Sequence, residues 1–241
     1  MRPVIVGASP ITLKVNKMAG IQDFLCFEED FLGPQTLTAS PAGSDKWDIA
    51  DTSSAGTPTY TVGGTNGEAT LAFDAQSEIQ NVCLFQSDVL NFDVDLIDHI
   101  EMRVKMGQAA IDATSQVAFG LASARNDAID SIATAALFRV VGADDTTAVV
   151  LESDDGTNNN DDVASGQTLI NAYKKFVISF AAGKADVKFY IDGDRVGAST
   201  TFDMSNMSTG FQPFVQISKT ADTNTDSVVI DYVRIYSRRS A

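Results

Sequence analysis

The sequence predicts an all-β protein, an antiparallel sandwich or barrel, on two observations. Apolar and polar residues alternate with a period of two along most of the chain, while helical periodicity is almost missing. The alternating runs are short and are separated by clusters of Gly, Asp, Asn, Ser and Thr, the residues that tight turns use.

The clearest strand covers residues 100–106. Ile100, Met102, Val104 and Met106 share one face there, and Glu101, Arg103 and Lys105 share the other. Residues 187–191 repeat the pattern with Val187, Phe189 and Ile191 inward. Asp192-Gly193 follows, a pair that tolerates the positive φ of a type I′ turn, and Arg195-Val196 begins the return strand. Further strands are expected at 47–49, 59–62, 69–73, 79–86, 116–122, 135–141, 148–152, 175–180, 214–218 and 227–236. By parity the last of these puts Tyr232, Arg234 and Tyr236 on one face and Val229, Val233 and Ile235 on the other. The Ala-rich segment 124–136 suits a loop or a helical turn or two. No Pro/Gly/Ser linker divides residues 23–238, so 23–241 reads as a single β domain. Residues 1–22 read as an extended N-terminal arm, with strand-like runs at 4–6 and 11–15 broken by Gly7 and Pro10.

Composition narrows the function. A chain of 241 residues that is 44% hydrophobic buries a proper core and is not disordered. No apolar run reaches the roughly 18 residues of a membrane helix, and residues 1–20, with Pro3 and Pro10, do not form a secretory h-region. There are 17 Lys and Arg against 32 Asp and Glu, a formal charge of -15. Such a surface repels phosphate, so neither nucleic acid nor membrane is expected as a partner. Both chain ends are nevertheless basic. Arg2, Lys14 and Lys17 at one end and Arg234, Arg238 and Arg239 at the other leave only 11 cations against 32 acids in residues 23–231. Cys26 and Cys83 lie in apolar runs and read as reduced, packed thiols.

Few residues suggest chemistry. The run from Asp154 to Asp162 offers calcium-type oxygen ligands but lacks EF-hand spacing, and it reads as a solvated hairpin loop. No metal or other cofactor is expected. His99 reads as a surface or edge histidine, because no Gly-x-Ser-x-Gly presents a nucleophile to it. Trp47, Tyr60, Tyr173, Tyr190, Tyr232 and Tyr236 read as covering a sheet face, in the core or at a subunit interface, ahead of a sugar-stacking face.

Asp30-Phe31 followed by Trp47, the Phe189-Tyr190-Ile191-Asp192-Gly193 hairpin, and the closing Ile230-Asp231-Tyr232-Val233-Arg234-Ile235-Tyr236 resemble concanavalin A-like lectin/glucanase domains, including family-16 β-glucanases and laminin-G-like modules. The resemblance implies a jelly roll of two curved antiparallel sheets. The glucanases carry Glu-x-Asp-x-x-Glu, and retaining hydrolysis needs two carboxyls about 5 Å apart. Here Leu96-Ile97-Asp98-His99-Ile100-Glu101 lacks the first carboxylate, so no catalytic residue is expected.

The acidic composition, the arm and residues 51–84 also resemble tailed-phage virion proteins that decorate or cement capsids. That resemblance implies a non-enzymatic protein of the virion, assembled in the host cytoplasm, trimeric and bound to the major capsid protein. Arg2, Lys14, Lys17, Tyr232, Arg234 and Tyr236 are then its interface residues. The alternative is a carbohydrate-binding module of laminin-G type, with a glycan as partner.

Overall fold

A computed structural model describes residues 24–32, 36–37, 47–63, 66–208 and 210–239. The expected arm, with Arg2, Lys14 and Lys17, lies outside the described residues. In chain order the strands are β1 (Phe24–Glu29), β2 (Asp48–Asp51), β3 (Thr59–Gly63), β4 (Glu68–Ala72), β5 (Glu78–Phe85), β6 (Phe92–Asp93), β7 (Ile97–Met106) and β8 (Ser115–Ala122). They continue with β9 (Ala135–Val141), β10 (Ala148–Asp154), β11 (Asn159–Thr168), β12 (Lys174–Ser179), β13 (Lys188–Ile191), β14 (Asp194–Val196), β15 (Gly210–Asp222) and β16 (Ser227–Arg238).

The strands form two antiparallel sheets. The first runs β14-β13-β12-β7-β16-β4-β3, with β1 beside the second half of β16. The second runs β11-β10-β9-β8-β15-β5-β2, with β6 beside the start of β15. Alternation explains why they stack. Ile100, Met102, Val104 and Met106 of β7 are buried and meet the inward row Val117, Phe119 and Leu121 of β8 in one core. Its centre is aromatic. Phe176 packs edge-on against Phe119 at 4.7 Å and Phe138 at 4.9 Å, tying the first sheet to the second. Asp192 and Gly193 both take positive φ, as the turn between β13 and β14 requires.

Three expectations need correction. A register shift between Ile230 and Tyr232 leaves Asp231 as a bulge and flips the parity of β16. Val228 and Ile230 therefore join Val233 and Ile235 in the core, while Val229 does not. Trp47 takes the core place expected for it ahead of a sugar platform. It is buried, and its indole donates to Glu29 at 3.2 Å. Cys26 is exposed on β1 and not packed; Cys83 is buried in β5, in the other sheet. Finally, the acidic run is mostly strand: Asp154 ends β10, and Asn159 to Asp162 open β11, leaving a short tip.

The segment between β8 and β9 packs on the second sheet. It has a single 3-10 turn at Ile129–Ser131, and it lies over the outer face of the second sheet. Ile129 and Ile132 form a second apolar cluster with Ala118, Ala122, Leu137, Phe214, Cys83 and Phe85. The Asp127 carbonyl accepts from Gln216 at 3.1 Å, and Asp130 reaches Arg139 at 2.5 Å. The middle of that face is roofed.

Candidate functional site

Among the described residues the outer face of the first sheet is a broad polar surface. Pairing aligns its side chains in rows. Cys26, Tyr236, His99 and Ser179 make one row across β1, β16, β7 and β12. Glu28, Arg234, Glu101, Val177, Tyr190 and Arg195 make the next, reaching β14. Tyr232, Arg103 and Lys175 make a third.

Charge and aromatic groups alternate along these rows. Tyr232 donates to Glu101 at 2.7 Å and carries the Arg234 guanidinium over its ring at 4.3 Å. Arg234 holds Glu28 through Nε at 2.8 Å and Nη2 at 2.6 Å, while its Nη1 lies 3.7 Å from Glu101. Tyr173 donates to Glu68 and carries Arg103 at 4.2 Å and Lys105 at 4.3 Å over its ring. Arg103 is bonded to Asp231, the bulge residue, which the bulge turns towards this face. The His99 ring stacks on Tyr236 at 4.5 Å, and its Nδ1 lies 2.7 Å from Asp98. Burial, and the carboxylates that they donate to, push the Tyr173 and Tyr232 phenols above their ordinary values. Both rings stay neutral hydrogen-bonding groups.

The structure therefore brings Tyr232, Arg234 and Tyr236 together on one face, as their parity predicts. It adds Tyr173, Arg103, Asp231, Glu101 and Glu28, whose grouping depends on strand pairing. The charged parity of β7 was the available signal for Glu101 and Arg103. Asp98 is bonded to His99, and Glu101 accepts from Tyr232. The carboxylate that shares a partner with Glu101 is Glu28, and the Arg234 guanidinium contacts both.

The acidic hairpin is a clasp. Asp155 accepts from the amides of Thr157 at 2.9 Å and Asn158 at 2.7 Å and from the Asn206 amide at 2.9 Å. Burial alone would raise this carboxyl, but those donors outweigh it and hold it below the ordinary value. With the Asp155 oxygens already taken, we expect the melting temperature to ignore chelators and millimolar calcium. A rise of several degrees with calcium would show instead that the hairpin binds the ion in the native state.

These two sheets, with their order and sandwich packing, make the fold a concanavalin A-like jelly roll. No family model matches the chain, and no curated protein matches it. Among solved structures it resembles a Bacillus licheniformis β-glucanase at TM-score 0.57 and 17% identity, over 87% of this chain and 97% of that one. It also resembles the Emp47p carbohydrate recognition domain, at 0.53 and 9%, over 80% and 89% of the two chains. A Shewanella oneidensis protein of unknown function matches over 100% of both chains, at 0.55 and 8%. At these identities the likeness is one of fold.

Proposed function

We propose that this protein is a non-enzymatic carbohydrate-binding jelly roll whose glycan lies on the outer face of the first sheet, across Tyr232, Arg234 and Tyr236. The observation that carries this reading is the alternation of tyrosines with ionic pairs on the outer face of the first sheet, which no described segment covers. Sugar hydroxyls both donate and accept, and Arg103, Arg234, Glu101 and Asp231 present donors and acceptors side by side. The names of its structural neighbours, a β-glucanase and a carbohydrate recognition domain, support a sugar ligand. The capsid-decoration reading, with its trimer and major capsid protein, keeps its basis in the basic chain ends; neither the comparisons nor the described residues add to it.

A glycan array tests the proposal. We expect retention of at least one oligosaccharide class, recovered uncleaved, with the affinity falling about ten-fold or more in Tyr232→Ala and Arg234→Ala. Absence of binding to any glycan overturns the binding reading. Turnover of a β-glucan that Glu101→Gln abolishes overturns the non-enzymatic part.

A further inference from the structure

Lys219 lies on β15 of the second sheet and is 2% exposed. Its ammonium donates to three backbone carbonyls: Asp74 at 2.7 Å, Asn224 at 2.9 Å and Gln76 at 3.1 Å. An ammonium has three donors, so all are used. The nearby carboxylates serve other groups. Asp74 takes the amides of Thr57 and Gln76, Asp222 takes the amide of Asn224, and Asp226 takes that of Asp112. The Lys219 charge is thus held by carbonyl oxygens, with the Phe73 ring 5.4 Å away.

The three carbonyls belong to connections that cross between the sheets. Asp74 and Gln76 lie between β4 and β5, and Asn224 lies between β15 and β16. A third crossing, between β7 and β8, is tied into the same knot. Asn224 donates to the Thr114 hydroxyl at 2.9 Å, and the Phe73 amide donates to the Asp226 carbonyl at 3.0 Å. The ammonium sits where the chain closes one end of the sandwich.

Convergent carbonyl oxygens around one positive charge are the donors that hard cations take. We propose that this is a cation site filled in cis, in which Lys219 supplies the charge that a bound monovalent ion would otherwise bring. Its size sets the ion class. The oxygens stand 2.7–3.1 Å from the nitrogen, wider than the roughly 2.3–2.6 Å that calcium takes and far wider than magnesium geometry. Ammonium and potassium suit that spacing. Shortening the side chain empties the cage and opens it to them.

The experiment compares the melting temperatures of the wild type and Lys219→Ala in chloride salts of choline, sodium, potassium, ammonium and calcium at equal ionic strength. The wild type is expected to melt alike in all of them. The variant melts lower in choline and recovers by roughly 2–6 °C in ammonium or potassium, the shift expected of an ion bound to the native state alone. Equal melting of the variant in all the salts, or recovery in calcium alone, overturns the proposal. Wild-type melting of the variant in choline also overturns it. Should Lys219→Ala not fold in choline, refolding is followed by near-UV circular dichroism across the same salts. Recovery only in ammonium or potassium supports the site, and recovery in none refutes it.

Discussion

Replacing Arg139 by methionine is expected to destabilise the fold by about 3–5 kcal/mol at neutral pH. Arg139 is 2% exposed on β9 and is bonded to Glu152 of β10, which is 3% exposed. It also reaches Asp130 of the roof at 2.5 Å and Gln116 at 3.3 Å. Methionine keeps the apolar stem but strands the Glu152 carboxylate beneath the roof. Burial already pushes the Glu152 carboxyl above its ordinary value, and the guanidinium only partly offsets that. Such a group binds more protons in the native state than in the unfolded one. Stability therefore falls as the pH rises from the ordinary glutamate value through the raised one. Without Arg139 the raised value moves higher still, so the deficit should shrink as the solution is made acidic. Denaturant titrations of both proteins across pH measure this. A deficit below about 1 kcal/mol, as for an exposed pair, would show that the contact does little. The double variant Arg139→Met/Glu152→Leu should recover most of the loss, because a well-packed apolar pair is no worse than a buried ionic one.

Cutting Ile132 to alanine should cost about 2–5 kcal/mol and make Cys83 reactive in the folded protein. Ile132 and Ile129 are the apolar contacts through which the segment between β8 and β9 grips the second sheet. Cys83 belongs to that cluster, and burial pushes its thiol well above the ordinary value. Thiolates are the reactive form, so wild-type protein should be labelled at Cys26 alone, the exposed thiol. Loosening the roof lowers the cost of opening it locally and admits the reagent to Cys83. Mass spectrometry of natively labelled protein separates the two cysteines. Unchanged stability with Cys83 still silent would mean that the roof does not depend on Ile132.

Residues whose environment is local were legible in the sequence. The alternation at 100–106 becomes β7, and Asp192-Gly193 becomes the turn between β13 and β14, because side-chain parity and positive φ are properties of neighbours along the chain. The polar strand β11 escaped notice for the opposite reason. Among the described residues it is an edge strand paired on one side only, where Val163 packs against the core and Asn159, Asp161 and Asp162 face solvent, so its composition imitates a loop. β1 was legible only as an apolar, strand-like run around Cys26, since Phe24-Leu25-Cys26-Phe27 does not alternate in polarity.

The face carrying Tyr232, Arg234 and Tyr236 was determined by the sequence alone, since all three lie beyond the bulge and keep one parity. Only the tertiary structure decided which residues join them and which side of the sandwich the described residues leave open. Glu28 reaches Arg234 from the other end of the chain, and Ile129 and Ile132 close the opposite face. The Asp231 bulge likewise shows only in pairing, as one extra residue set against the β7 ladder. The physical reason is the same in each case. Parity is fixed by bonds along the chain, whereas register, sheet order and the covering of a face are set by contacts between segments distant in sequence, and no local pattern encodes them.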